Sequence, residues 1–218
     1  MAQIFKPRAD TVIRIVLAAA AALPVLAVGL GYAIMRSSYT TEQNLTREQP
    51  VPFSHEHHVG GLGLDCRYCH TSVENTRFAG MPPTETCMTC HSQLWTNAGM
   101  LAPVRASLVE NRPLRWQRVH NLPGYVYFDH SVHVTNGIGC STCHGAVDRM
   151  PLMRQTAPLT MSWCLDCHQH PENHLRPPDA IFDMSWRPPD DQATVGRQLM
   201  LQYHIDTRHL MDCSRCHR

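Results

Sequence analysis

Apolar residues are concentrated in one continuous stretch near the N-terminus. Residues 15–35 read IVLAAAAALPVLAVGLGYAIM and include no charged side chain. A helix of about 20 apolar residues is long enough to cross a bilayer, so this pattern predicts a transmembrane helix. The charges that precede it are mostly basic, and they are Lys6, Arg8, Asp10 and Arg14. By the positive-inside rule we expect the N-terminus in the cytoplasm and the rest of the chain on the outer side.

A cleaved signal peptide is the alternative interpretation of the same stretch. Signal peptides have a shorter apolar region, followed by a cleavage site of small residues. We therefore expect residues 1–36 to form a cytoplasmic N-terminus and an uncleaved signal anchor. Pro24 lies inside this stretch, and a membrane helix tolerates proline better than a soluble helix does.

The polar residues beyond the anchor divide the remaining chain. Residues 37–50, SSYTTEQNLTREQP, have the composition of a linker. The pattern Phe-x-His-x-x-His-Val then occurs twice, at residues 53–59 and at residues 128–134. We predict a domain of residues 51–218, made of two similar modules and a C-terminal segment, at about 51–110, 118–178 and 179–218.

All ten cysteines lie in five copies of the pentapeptide Cys-x-x-Cys-His. In this motif two thiols form thioethers to a porphyrin, and the adjoining histidine becomes the proximal ligand of its iron. A disulfide framework does not require a histidine after every second cysteine, and zinc knuckles used in pairs would leave one motif over. We therefore predict five covalently bound c-type haems. The attachment cysteines are Cys66, Cys69, Cys87, Cys90, Cys140, Cys143, Cys164, Cys167, Cys213 and Cys216, and the proximal histidines are His70, His91, His144, His168 and His217.

Composition limits the kind of core that the domain can have. Hydrophobic residues make up 43% of the chain, but only 7% are aromatic, and there are 16 prolines. Roughly 180 residues remain beyond the anchor, too few to build a conventional core around five ligands. We expect the haems to form most of the core, so the predicted fold class is mostly α with extensive loop: one transmembrane helix plus a multihaem cytochrome c domain. The net charge of +1, without a basic patch, argues against a nucleic-acid partner.

The repeat also indicates distal ligands for the irons. In both copies two histidines are three positions apart, which puts them on one face of a helix. For the fifth distal ligand we choose His120, just upstream of the second copy. The predicted distal ligands are therefore His55, His58, His120, His130 and His133.

Several other side chains remain open as distal ligands. His57 has no counterpart in the second copy, where Val132 stands, and we expect it to face solvent. A methionine ligand raises the haem potential relative to two histidines, although packing against a porphyrin is the commoner role of methionine. The open candidates are Met81, Met153, Met161, His170, His174, His204 and His209.

This arrangement resembles the class III multihaem cytochromes. In that family the first histidine of the repeat binds the haem attached just downstream, and the second reaches across to another haem. The resemblance implies that His55 serves the first motif and His130 the third. It also implies that His58 and His133 each cap a different haem.

The anchor, the two modules, the segment VHNLPGYVYFDHSVHV and the terminal CSRCHR together resemble the pentahaem membrane-anchored cytochrome c subunits (ActA) of bacterial alternative complex III. The resemblance implies an electron-transfer subunit of a membrane quinol-oxidising respiratory or photosynthetic complex, which passes electrons to a periplasmic carrier or oxidase. The implied partners are iron–sulfur and polytopic membrane subunits, with a monohaem cytochrome c or a copper protein as acceptor. The implied location is the bacterial inner membrane, crossed once, with the haem domain on the periplasmic side.

Two other functions fit parts of the pattern. The NapC/NrfH quinol dehydrogenases also have a single anchor, but they carry four haems and lack the duplicated repeat. Enzymes of the nitrite-reductase or hydroxylamine-oxidising type need a haem with an open distal position. Ten spare histidines for five irons argue against such a vacancy, and we expect no independent catalytic site in this chain.

Overall fold

The computed structural model describes residues 6–217 of the chain. The first five residues of the expected cytoplasmic N-terminus, and Arg218 of the CSRCHR segment, lie outside the described residues. The described chain falls into two units, divided between Gln43 and Asn44.

The first unit consists of two helices, α1 (Pro7–Met35) and α2 (Ser38–Thr41). At 29 residues, α1 is roughly 40 Å long, which exceeds the roughly 30 Å hydrocarbon thickness of a bilayer. Its segment Arg8–Met35 has a mean hydropathy of 2.3 over its most apolar window and is not buried. Among the described residues it is the one helix long and apolar enough to cross a membrane.

Arg36 marks the end of α1. Its backbone N–H donates to the carbonyls of Ile34 and Tyr32, and its guanidinium donates to the Tyr32 hydroxyl at 2.9 Å. Pro24 lies inside the helix without ending it. A continuous helix with polar groups satisfied at its end is the form that a bilayer requires of a spanning segment.

The second unit is built from short helices separated by loops. Its α-helices are α3 (Cys66–Cys69), α4 (Thr84–His91), α5 (Ala102–Glu110), α6 (His130–Thr135), α7 (Cys140–His144), α8 (Met161–Gln169), α9 (Gln192–Gln202) and α10 (Cys213–Cys216). A π-helix covers Glu56–Gly61, and 3₁₀ turns cover Gly99–Leu101, Val147–Arg149, Pro171–Asn173, Pro178–Ala180 and Thr207–His209. Over residues 6–217 no β-strand forms, and backbone pairing outside helices is limited to isolated bridges. The predicted fold class, mostly α with extensive loop, is confirmed.

The apolar core of the second unit is small and divided. One cluster is formed by Val51, Leu101 and Val104, and a second by Val73, Val134 and Ile181. Among residues 44–217, Met150 and Leu175 are the large side chains buried to more than 98%. Clusters of this size are smaller than the one contiguous apolar core that a domain usually has.

Part of the predicted linker is bonded within the second unit. The N–H of Asn44 donates to the carbonyl of Gln155 at 2.7 Å. Gln49 and Gln117 exchange two hydrogen bonds of 2.9 and 3.0 Å between side chain and backbone. The described structure therefore binds residues 44–49 to the larger unit, although the domain boundaries themselves stay a prediction.

Candidate functional site

The two cysteines of each Cys-x-x-Cys-His motif lie on one short helix. The helices are α3, α4, α7, α8 and α10, and each contains both cysteines of its motif. Since residues three apart share a helical face, the two thiols of a motif point the same way. In the first motif the carboxylate of Asp65 caps the helix by accepting the N–H of Arg67 at 2.8 Å. None of the ten cysteines forms a disulfide.

The repeated histidine segments have the same local geometry in both modules. Phe53 stacks on His58 and Phe128 stacks on His133, both at 4.4 Å between ring centres. The same phenylalanines meet the first histidines edge-on, at 4.9 Å for His55 and 4.8 Å for His130. The sequence repeat is thus a structural repeat, in which one aromatic ring orients two imidazoles.

The start of each repeat is capped by a polar side chain. Asp129 accepts from the N–H groups of Ser131 and Val132 at 2.9 and 3.4 Å. In the first copy the Ser54 hydroxyl accepts the N–H of His57 at 3.1 Å. Such caps satisfy backbone donors that the first helical turn leaves free. The first copy then continues as a π-helix, whereas the second is the α-helix α6.

Three histidines of the repeats each face a different proximal histidine, and the distance between ring centres is nearly the same in the three pairs. Ring centres are 6.2 Å apart for His58 and His91, and 6.3 Å apart both for His130 and His144 and for His133 and His168. Two imidazoles that bind one iron from opposite sides have ring centres about 6 Å apart, because each metal–nitrogen bond is about 2 Å. The spacing therefore fits a haem iron between the members of each pair.

A fourth histidine, His55, lies near the proximal histidine of the first motif. Burial, together with the nearby His70 and His58, lowers the pKa of His55 to about 4. Burial lowers the pKa of His58 and of His133 as well. A neutral imidazole is the form that binds a metal, so these environments suit ligation.

Hydrogen bonds fix the tautomer of six of these imidazoles. In each, Nδ1–H donates to a backbone carbonyl, which leaves the Nε2 lone pair for a metal, an arrangement typical of metal-bound histidine. Residues and acceptors are His58 with Ser54 (2.8 Å), His70 with Gly80 (2.7 Å), His91 with Leu94 (3.2 Å), His130 with Arg77 (2.8 Å), His133 with Asp129 (2.7 Å) and His168 with Leu210 (2.9 Å). The donor set therefore fits haem iron.

The proximal histidine of the third motif has a different partner. Nδ1 of His144 lies 3.2 Å from Nε2 of His120, and the two ring centres are 4.3 Å apart at a steep angle of 76°. Burial lowers the pKa of His120 to about 4 and that of His144 to about 3. His120, predicted as the fifth distal ligand, thus contacts the back of a proximal imidazole.

The fifth motif is bonded to the segment before the second repeat. The N–H of Tyr127 donates to the carbonyl of Cys216 at 2.7 Å, and Val126 bridges to His217. The ring of Tyr125 is 5.8 Å from that of His217. Nδ1 of His217 and Nδ1 of His55 are buried and make no hydrogen bond within the described residues.

The remaining histidines differ in exposure and in their contacts. His57 is exposed and stacks on Trp95 at 5.7 Å. His170 lies 3.6 Å from Glu172, and His209 lies 2.9 Å from Asp212. His204 is exposed and has a positive φ of 54°, whereas burial lowers the pKa of His174. Of the candidate methionines, Met81 and Met161 are 59% and 61% exposed, and Met153 is partly buried.

Thiols of different motifs lie close enough to shift one another's pKa, which shows which motifs are adjacent. Cys66 and Cys140 share a hydrogen bond that lowers the pKa of Cys66 to about 7 and raises that of Cys140. Burial raises the pKa of Cys143 to about 12, with Cys167 and Cys164 close by. These thiols stand in for the thioether sulfurs of the loaded protein, so their proximity means that neighbouring attachment sites nearly touch.

One residue that the sequence analysis missed is Arg176, which is 4% exposed. Its guanidinium donates to both variable side chains of the third motif, Ser141 at 2.6 Å and Thr142 at 3.2 Å, and lies over the ring of Trp186. Burial lowers the pKa of Arg176. A buried cation held against an attachment motif orients that motif, and no sequence pattern marks an arginine eight residues beyond the fourth motif for this role.

Two family models match different parts of the chain. Residues 32–103 match the class III cytochrome c family, and residues 126–218 match cytochrome c7 and related cytochromes c. The chain is a multihaem electron-transfer cytochrome c. Both of these cytochrome c families bind haem covalently, so the predicted cofactor class, c-type haem, is confirmed, as is the similarity to class III cytochromes.

A curated relative extends the comparison to most of this cytochrome. The chain is 28% identical over 172 residues to the "Menaquinone reductase, multiheme cytochrome c subunit" of Nitratidesulfovibrio vulgaris strain Hildenborough, covering 78% of this chain and 68% of the relative. This multihaem cytochrome is thus similar to a subunit of a quinone-linked complex.

Proposed function

We propose that this cytochrome is the five-haem electron-transfer subunit of a membrane-bound, quinone-linked oxidoreductase of the alternative complex III type. The observation that carries the proposal is the set of histidine pairs whose ring centres are 6.2–6.3 Å apart. In two of these pairs, the repeat histidine faces the proximal histidine of a motif other than the one that follows it directly. A protein that shares ligands between neighbouring motifs ties its haems into one connected array. Such an array suits electron transfer rather than substrate binding.

The chain's own residues hold the groups in this proposal. Ten cysteines attach five haems, and the proximal ligands are His70, His91, His144, His168 and His217. We assign His55 to the first motif, His58 to the second, His130 to the third and His133 to the fourth. When bound, the haems supply the one-electron chemistry, and the protein supplies ligands, spacing and dielectric.

We propose further that the attachment motifs are connected in the order second, first, third, fourth, fifth. The first and second motifs are linked by the hydrogen bond of 2.8 Å between Tyr68 and Thr89. The first and third motifs meet where the thiols of Cys66 and Cys140 share a hydrogen bond. His130, which faces His144 of the third motif, also donates Nδ1–H to the carbonyl of Arg77 at 2.8 Å. His133 opposite His168 supports the third-to-fourth connection.

The fourth-to-fifth connection has two supports. His168 Nδ1–H donates at 2.9 Å to the carbonyl of Leu210, three residues before the fifth motif. In addition, burial raises the pKa of Cys164, and the nearby Cys216 raises it as well. The chain order of the first two motifs is therefore reversed in space, which puts the second and fifth motifs at the two ends.

Iron positions in the loaded protein test this order. Anomalous diffraction or electron cryo-microscopy of the holoprotein should find the iron of the third motif nearer to that of the first than to that of the second. An iron of the third motif adjacent to the second would overturn the reversed order and leave the ligand pairs unaffected.

The location and partners follow from the apolar helix and the relative. We propose that α1 anchors the chain once in a bacterial inner membrane and that residues 44–218 lie on the periplasmic side. Iron–sulfur and polytopic membrane subunits of the same complex would exchange electrons with quinone, and a monohaem cytochrome c, copper protein or oxidase would accept them. The relative's description as part of a menaquinone reductase supports a quinone-linked complex.

The same description favours a second candidate, in which electrons flow toward quinone. The two directions differ in which partner reduces the haems. In the assembled complex, quinol alone should reduce the haems under the first proposal. Under the second, a reduced periplasmic carrier should drive quinone reduction, and quinol should leave the haems largely oxidised.

The isolated full-length chain distinguishes both from a NapC/NrfH-type quinol dehydrogenase. Stopped-flow mixing should show rapid electron exchange with a small cytochrome c and slow reduction by a quinol, since the proposal assigns quinone chemistry to other subunits. Fast, saturable quinol oxidation by the isolated chain would sink the subunit proposal and favour the dehydrogenase.

A further inference from the structure

His144 is held differently from the other hydrogen-bonded ligands. Six histidines of the site donate Nδ1–H to a backbone carbonyl. At His144 the partner of Nδ1 is the imidazole nitrogen Nε2 of His120, at 3.2 Å. A side chain thus occupies the position that the main chain occupies elsewhere.

The tautomer of this pair follows from the ligand role of His144. The ring of His130 lies 6.3 Å from that of His144 and within 5° of parallel to it. If Nε2 of His144 faces an iron on that side, Nδ1 must carry the proton and donate it. Nε2 of His120 is then the acceptor, and its lone pair is not free to bind an iron.

We infer that His120 is a positioning residue that fixes the tautomer and orientation of His144, rather than a distal iron ligand. This inference rests on the proposed assignment of His130 and His144 to one haem. It gives His120 a role other than the one the sequence suggests, and the distal position of the fifth haem then falls to another residue.

The chemical consequence is a tuned ligand. An acceptor at Nδ1 makes an imidazole more electron-donating, which stabilises the ferric state and lowers the potential of its haem. Loss of the acceptor should therefore raise the potential of one haem. A carbonyl at the same place should restore it, since what matters is the lone pair and not the second ring.

Two variants separate these roles in the holoprotein. His120→Phe keeps an aromatic ring but removes the acceptor, whereas His120→Gln keeps an acceptor oxygen at similar reach. We expect both to leave every haem low-spin by electron paramagnetic resonance. Redox titration should show one potential shifted upward in His120→Phe and returned toward the wild-type value in His120→Gln. A new high-spin signal in both variants would instead make His120 an iron ligand.

The bond between His144 and its iron can be measured in a protein that carries His130→Ala. There one haem should become five-coordinate, and resonance Raman of the ferrous form should reveal its iron–histidine stretching band. Adding His120→Phe should lower the frequency of that band, and adding His120→Gln should largely preserve it. If His130→Ala yields no high-spin haem, the proposed pairing fails. If His130→Ala yields a high-spin haem but neither His120 substitution changes the frequency of the band, His120 only fills space and the inference fails.

Discussion

The second histidine of each repeat is held by several neighbours at once. His133 donates Nδ1–H to the Asp129 carbonyl at 2.7 Å and stacks on Phe128. Its ring faces His168 at 6.3 Å. His58 is held in the same way by Ser54 and Phe53 and faces His91. A side chain that packing and a hydrogen bond already hold in one rotamer loses little conformational entropy when it binds its metal.

We expect His133→Ala to convert one haem to high spin, and that haem should be the one attached by the fourth motif. Electron paramagnetic resonance should show the new high-spin signal in the single variant. The signal should vanish when Cys164 and Cys167 are also replaced by alanine, because the affected haem is then absent.

His57→Val is the matched control, since it introduces the residue found at the same position of the second repeat. It should leave the visible spectrum unchanged, because His57 is exposed. A high-spin signal that persists after loss of Cys164 and Cys167 would mean that His133 serves a different haem.

Among the elements, α6 depends on its cap. Asp129 accepts from Ser131 and Val132, and the equivalent residue in the first module is Ser54. Replacing an N-cap by alanine costs about 1 kcal/mol. We therefore expect Asp129→Ala to lower the free energy of unfolding by about that amount in denaturant titration, and Asp129→Ser to retain most of it. Equal loss in both variants would show that the carboxylate acts otherwise than as a cap.

Helix α9 approaches the 3₁₀ turn Pro171–Asn173 closely at one glycine. A Cβ at Gly196 would collide with the carbonyl oxygen of Glu172. Although alanine is favoured over glycine within a helix, we expect Gly196→Ala to destabilise the protein by about 1–3 kcal/mol through overpacking. Gly99→Ala is the control, because a Cβ there meets nothing within 4 Å. A rise in melting temperature for Gly196→Ala would contradict the close approach.

The two repeat helices show where sequence reasoning reaches its limit. The cysteines, the proximal histidines and the orienting role of the repeat depend on local spacing, so they could be read from the chain. The first repeat forms a π-helix whose Gly60 lies against the backbone of Asp148, where a Cβ would collide. That contact joins residues about half the domain apart in sequence, whereas Arg176 reaches Ser141 across 35 positions and His120 reaches His144 across 24. Only the folded chain brings such residues together.

For the whole molecule, we expect a mass that reflects five haems. The intact protein should exceed its 24.7 kDa chain by five groups of roughly 0.6 kDa, because all five motifs are complete. Intact-protein mass spectrometry measures this directly. A mass excess that corresponds to only four haems would contradict the five-haem assignment.

We propose that electrons pass between quinone and the periplasmic carrier through the haems of this chain. The most direct test is quinol-driven reduction of the periplasmic carrier by the assembled complex with Cys140→Ala and Cys143→Ala, which removes the haem of the middle motif. Mass spectrometry should first show four remaining haems in an assembled complex, and His57→Val should match wild type. We expect the quinol-oxidising subunits still to become reduced while reduction of the carrier stops. Carrier reduction at the wild-type rate would contradict this proposal.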